Sequence, residues 1–273
     1  FLEEDKMPQI AVSKARIQII KAIDNISERL QNNGRLFYIG AGTSGRLAVL
    51  DAAECPPTFC TPPELVQAFI AGGYSALVKS SEDKEDSQFD SIEELKNSCF
   101  SNKDCLIGIS AGGTTPYVLS ALKYSRSIAA LSVLMTCVPK HDFCFESDIE
   151  IRLLTGPEVI SGSTRLKAGT ATKMALNIIS SGVMIKLGKV YRNKMIDLSV
   201  KNKKLLDRSI RILCDLLKIE RTEAFDLLNK SDGSVKISCL MKVSGLSLIE
   251  SRQILKKNNY HLHNTLEQLG LNL

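Results

Sequence analysis

Residues 40–45 read Gly-Ala-Gly-Thr-Ser-Gly. They follow an apolar run, Arg35-Leu-Phe-Tyr-Ile39, and open a helix-like stretch, Arg46-Leu-Ala-Val-Leu-Asp51. Strand, glycine-rich loop, then helix is the order in which a backbone cradles a phosphate. Glycine lets the chain turn tightly, and the free N–H groups of the helix start point at an anion. The prolines of Glu54-Cys55-Pro56-Pro57 are expected to stop that helix, because proline lacks an N–H and its ring crowds the preceding turn. Glu54 would then sit near the negative end of a short helix, partly buried, where a carboxyl is biased toward its protonated form.

The rest of the first 200 residues repeats the alternation. Apolar runs rich in β-branched residues fall at 35–39, 65–70, 105–109, 129–136 and 149–154, with helix-like segments or loops between them. The chain opens on a helical pattern over 8–30, which Gly34 is expected to end. The reading is an α/β fold, a doubly wound parallel five-stranded sheet. After the third run comes a second small, hydroxyl-rich loop (Ser110, Gly112, Thr114, Thr115), and ligands bind where such loops gather at the carboxyl ends of strands. A third loop, 156–165, leads into a long apolar helix from Leu166 to about Gly188, read as a core helix compatible with a dimer surface.

Past Asp197 the pattern changes to short amphipathic helices at 204–217, 221–229, 235–243, 248–257 and 262–269, with a capping box at Ser247–Glu250. The expected division is a phosphate-binding α/β domain over 1–200 and a helical module over 201–273.

Composition excludes several classes. At 273 residues, 44% hydrophobic and 24% charged, the chain is an ordinary globular one. No apolar run reaches the roughly 18 residues of a membrane span. The net charge of +5 comes mostly from beyond residue 185, where bases mix with acids, so a solvated helical face is favoured over nucleic-acid binding. Eight cysteines without a C-x-x-C pair read as reduced, mostly buried thiols of a cytoplasmic protein. His141, His261 and His263 do not combine with them at metal-ligand spacing, so neither a metal nor a cofactor is expected. The chain begins with Phe1 rather than methionine, and a preceding segment is expected.

The first loop matches G-x-G-x-x-G, but the following strand ends Phe69-Ile-Ala-Gly-Gly73 without the acid that binds a dinucleotide's ribose. It also falls short of a nucleoside-triphosphate loop, because Arg46 and Leu47 stand where lysine and a hydroxyl belong. Thr43 and Ser44 add hydroxyl donors to the backbone of Gly42 and Gly45, and two such loops suit a phosphate monoester such as a sugar phosphate.

These residues resemble the N-acetylmuramic acid 6-phosphate etherases, built on the sugar isomerase (SIS) fold. The likeness is carried by GRLFYIGAGTSGRLAVLDAAECPPTF at 34–59, FIAGG at 69–73, SEDKEDS at 81–87, GPEVISGSTRLKAGTATK at 156–173 and NKMIDLSVKNKKL at 193–205. It extends into a C-terminal bundle similar to a ubiquitin-associated domain. The resemblance implies a metal-free homodimer that cleaves a lactyl ether by elimination and addition of water. It implies Glu54 as the general acid and Glu85 as the base for the C2 proton. Glu82, one turn before Glu85, would bond a sugar hydroxyl, and Ser163 and Lys167 would belong to a third substrate loop. By composition alone the segment around Glu85 reads as a solvated charge run, Ser163 as a helix cap and Lys167 as a surface lysine.

The second loop departs from the family. Etherases of this kind carry Ser-Gly-Arg-Thr-Pro where this chain has Gly112-Gly-Thr-Thr-Pro116. Here it looks closer to the glucokinase regulatory protein, a relative that binds fructose phosphates without etherase activity. A non-catalytic sugar-phosphate sensor and a sugar-phosphate isomerase are therefore the alternative readings.

Overall fold

The computed structural model describes residues 1–79, 82–140, 145–198 and 203–273, and of Glu82 the backbone only. The chain divides into two units, Phe1–Glu54 with Pro62–Val183 and Cys55–Thr61 with Met184–Leu273.

The first unit is built on five parallel strands: β1 (Leu36–Gly40), β2 (Val66–Ile70), β3 (Cys105–Ile109), β4 (Leu131–Thr136) and β5 (Ile149–Arg152), in the order β2-β1-β3-β4-β5. Strands β1, β3 and β4 are buried along their whole length, which is why they read as continuous apolar runs rather than alternating ones. The winding reverses between β1 and β3, so a crevice opens beyond their carboxyl ends.

Helices cover both faces. On one side lie α4 (Asp90–Asn97) and α5 (Pro116–Ser127), whose Leu95, Val118 and Leu122 pack with Phe37, Ile39 and Leu106. On the other lie α2 (Arg16–Gln31), α3 (Gly42–Phe59) and α6 (Lys167–Lys186). Asp51 of α3 ties this layer together. Its carboxylate accepts from the Tyr38 hydroxyl of β1 at 2.9 Å and from the Ser180 hydroxyl of α6 at 3.0 Å. Gly182 admits Ile23 of α2, whose Cδ1 would lie 2.7 Å from any added Cβ.

Four local expectations are corrected. The helix over 8–30 is two helices, α1 (Met7–Lys14) and α2, which meet at Ala15, where one N–H reaches the carbonyls of both Ala11 and Val12. Gly34 does not end α2; Asn33 takes the left-handed position, at φ 65°. Gly34 instead permits close approach, since a Cβ there would lie 2.2 Å from the Lys103 carbonyl oxygen. The helix after the glycine loop does not stop at Glu54 but runs through Pro56 and Pro57 to Phe59. Proline's fixed φ is itself helical, so the cost is confined to the carbonyls of Ala52 and Ala53, which lose their N–H donors. Cys60, at φ 52°, ends the helix. Finally, the cysteines are not mostly buried. Cys55, Cys105 and Cys239 are buried, but Cys60 and Cys99 are exposed. Burial pushes the Cys105 and Cys239 thiols up to about 12 and keeps them protonated. Cys144 and His141 lie outside the described residues.

The second unit contains a hairpin, β6 (Val190–Tyr191) and β7 (Lys194–Met195), and five helices: α7 (Lys203–Leu217), α8 (Arg221–Lys230), α9 (Val235–Ser244), α10 (Leu248–Lys257) and α11 (Leu262–Gln268). Leu213, Leu228, Leu240, Leu255 and Leu266 supply one buried face from each helix. The capping box is present, with Ser247 and Glu250 satisfying each other's free N–H groups. Several basic residues here form solvated pairs, including Arg211 and Arg221 with Asp207, and Lys194 with Asp215, whereas Lys236 is buried and pairs with Asp197. Among the described residues, no helix is long and apolar enough to cross a membrane, and no group of His, Cys, Asp or Glu is placed to hold a metal ion.

Candidate active site

The first loop leaves β1 at Gly40 and the second leaves β3 at Ile109, and these two residues are register partners. Both loops therefore emerge side by side at the winding reversal. Gly40 and Gly45 are glycines because the backbone closes on itself there. A Cβ on Gly45 would lie 2.6 Å from Ile70 Cγ1 and 2.7 Å from the Gly40 carbonyl oxygen. Gly42, at φ 52°, faces open space and starts α3. Gly42, Thr43 and Ser44 thus occupy the first turn, whose N–H groups have no intrahelical acceptor. Thr43 and Ser44 are half-buried beside this positive helix end.

The second loop is pinned from below. Ser110 is buried; its hydroxyl lies 2.9 Å from Thr115 Oγ1, and its carbonyl accepts from Gly113 N–H at 3.0 Å. The Thr136 hydroxyl donates to the Ala111 carbonyl at 3.1 Å. Gly112 and Thr114 are exposed at the tip. A Cβ on Gly112 would meet only Thr114 Oγ1, at 3.6 Å. The absent serine is therefore not excluded by space.

Glu85 is brought to this edge through its backbone. Its carbonyl accepts from the N–H of Tyr117, in the first turn of α5, at 3.0 Å. Its side chain is exposed. Tyr117 is fully buried, and its hydroxyl donates to Glu94 of α4. Burial raises the Glu94 carboxyl above its ordinary value, partly offset by this hydrogen bond. The Glu82 backbone lies in a 3-10 turn, Glu82–Lys84, and its side chain is outside the described residues.

The third loop meets the first at α6. The methyl of Thr43 stands 3.4 Å from where a Cβ on Gly169 would be. Ser163 is half-buried and does not cap α6. That role falls to Glu158, whose two carboxylate oxygens accept the N–H groups of Lys167 and Ala168, each at 2.9 Å. Lys167 is not a surface lysine. It is 2% exposed, and its ammonium pairs with the carboxylate of Glu4. That ammonium holds the Glu4 carboxyl below its ordinary value.

Glu54 stands apart. It is exposed rather than partly buried, and α3 carries it away from both loops. Sequence reasoning missed Glu158, Glu4, Asp51 and the Tyr117–Glu94 pair. A cap nine residues upstream matches no local template, and the Glu4–Lys167 pair joins residues 163 positions apart. For Asp51 a signal existed, a lone acid on the apolar side of a helix.

A protein of Prochlorococcus marinus named N-acetylmuramic acid 6-phosphate etherase is 63% identical over 271 residues, covering 99% of this chain and 87% of its own length. This chain belongs to the N-acetylmuramic acid 6-phosphate etherase family. An etherase of Trichodesmium erythraeum is 53% identical over 99% of this chain and 88% of its own. Residues 18–126 match the model of the glucokinase regulatory protein N-terminal SIS domain, and residues 192–233 that protein's C-terminal lid domain. The sheet of this etherase is thus an SIS domain, as the resemblance implied. Among solved structures, a phosphoheptose isomerase from Neisseria gonorrhoeae is similar with a TM-score of 0.49 and 17% identity, over 67% of this chain and 93% of that one.

Proposed function

We propose that this chain cleaves the lactyl ether of N-acetylmuramic acid 6-phosphate with water, giving N-acetylglucosamine 6-phosphate and D-lactate. The supporting observation is the match to etherases along 99% of the chain. The phosphate rests on the first-turn N–H groups of α3 and the hydroxyls of Thr43 and Ser44, with Ser110, Thr114 and Thr115 holding the sugar from the second loop. In the open-chain sugar, the C1 aldehyde acidifies the C2 proton. Glu85 takes that proton, the C3–oxygen bond breaks, and Glu54 protonates the departing lactyl oxygen. Water then adds across the double bond, its hydroxyl to C3 and a proton to C2. Each proton transfer between positioned groups is worth roughly 10²- to 10⁴-fold in rate.

Incubation of the purified protein with N-acetylmuramic acid 6-phosphate, with assay of D-lactate, tests this reading. Thermal stabilisation by the sugar phosphate without lactate release would replace the etherase with a sugar-phosphate sensor. The second loop, lacking the family's arginine, makes that comparison necessary.

A further inference from the structure

Arg46 is the fifth residue of α3 and is half-buried, one turn past the start of the phosphate cradle at Gly42. Its Nε donates to the Leu77 carbonyl at 3.1 Å and its Nη2 to the Lys79 carbonyl at 3.3 Å, 31 and 33 positions along the chain.

The segment it holds leads from β2 to the candidate base. It opens with a 3-10 turn, Gly73–Leu77, and reaches Glu85 six residues after Lys79. Packing holds this segment weakly. Between residues 73 and 89, Ala76 alone is buried among the described residues, while Tyr74, Val78 and Phe89 are 86%, 80% and 79% exposed. With so little apolar area removed from water, hydrogen bonds set its place instead. Arg46 of α3 ties the first half, and the Tyr117 N–H of α5 ties the second at Glu85. A guanidinium suits the first tie, because its N–H groups form a rigid planar fork that can hold two carbonyls at once. Thr43 of the cradle and Arg46 are three residues apart, so they lie on the same side of α3.

We propose that Arg46 is a positioning residue for the C2 proton transfer. One rigid helix sets the phosphate end of the sugar at its first turn and, through the Leu77 and Lys79 carbonyls, the place of Glu85 against C2. This rests on the etherase reading, with Glu85 as the base. A displacement of about 1 Å at a reacting group can cost roughly 100-fold in rate.

Arg46→Ala tests it, assayed with N-acetylmuramic acid 6-phosphate. The expected kcat is about 10- to 100-fold lower, with KM within about threefold of wild type because the cradle is intact. Exchange of the C2 hydrogen with deuterated solvent should fall by the same factor as D-lactate release. Added ethylguanidinium should restore several-fold of the lost kcat in this variant and none in wild type. Arg46→Lys keeps the charge without the fork and should stay low. Amide hydrogen exchange over 73–79 should quicken in Arg46→Ala while β1 stays as in wild type. A raised KM with unchanged kcat overturns the proposal, since Arg46 would then bind the phosphate. So do full activity in Arg46→Lys, which makes charge sufficient, and a lowered kcat that ethylguanidinium does not restore, which makes the role structural. A wild-type chain that neither exchanges the C2 hydrogen nor releases lactate overturns the etherase reading and this role with it, so the two failures are distinguishable.

Discussion

The backbone carbonyl of Glu85 accepts the N–H of Tyr117 at 3.0 Å, while the hydroxyl of the same tyrosine donates to Glu94. The backbone of this one buried residue thus holds the segment bearing the candidate base to α5, and its side chain ties α5 to α4. Tyr117→Phe keeps the ring and the N–H but leaves the half-buried Glu94 carboxyl without this donor. A loss of about 1–3 kcal/mol in urea unfolding is expected. If the anchor positions Glu85, kcat falls several-fold while KM changes little, because the phosphate loops are untouched. An unchanged kcat in the destabilised variant would reduce the pair to a purely structural role.

Glu54→Gln separates the two halves of the proposed reaction. The variant should still exchange the C2 hydrogen of N-acetylmuramic acid 6-phosphate with deuterated solvent, followed by NMR, while lactate release falls by roughly 10²-fold or more. Full etherase activity would remove Glu54 from the mechanism.

Asp51 supplies a pH signature. Burial raises its carboxyl above the ordinary 3.8, against the opposing pull of its bonds to Tyr38 and Ser180 and of the Lys173 charge. The folded chain therefore binds this proton more tightly than the unfolded chain. Its contribution to stability falls as pH rises from the ordinary value to the raised one, and is level above that. Asp51→Asn cannot titrate, so the melting temperature of the variant relative to wild type should rise across that window. A difference independent of pH would show that another group dominates.

Two glycines of the candidate site should respond oppositely to substitution. Gly45→Ala forces a Cβ against backbone and Ile70, so about 1–3 kcal/mol of stability is lost and sugar-phosphate binding weakens with it. Gly112→Ser has room and no left-handed φ to strain, and should change stability by no more than about 0.5 kcal/mol. It also returns the family's hydroxyl to the loop tip, and a lower KM for the phosphosugar is the expected result. Denaturation and steady-state kinetics of the two variants check both.

Much of this protein was legible in order along the chain. Period and composition located all five strands, and the C-terminal helices to within about a residue, because each is long enough to show its own pattern. The capping box was readable since both partners lie within one turn. The proline pair misled: Pro56 and Pro57 read as a stop, yet α3 runs through them to Phe59, since proline's fixed φ is itself helical. Lys167 misled for another reason, since the residue that pairs with it, Glu4, is far off in sequence.

The sequence by itself determined the chemistry on offer: a glycine-rich cradle, hydroxyl-bearing loops and two carboxylates in a family pattern. Local rules suffice for that, because turns, caps and periodicity act over a few residues. Only the tertiary structure decided which of these groups meet. Register between β1 and β3 sets the two loops side by side, a tyrosine holds the Glu85 segment against them, and the return path of α3 takes Glu54 to the far edge of the sheet. Those outcomes follow from strand pairing and helix direction, which join residues distant in the chain and leave no trace in any short stretch of it.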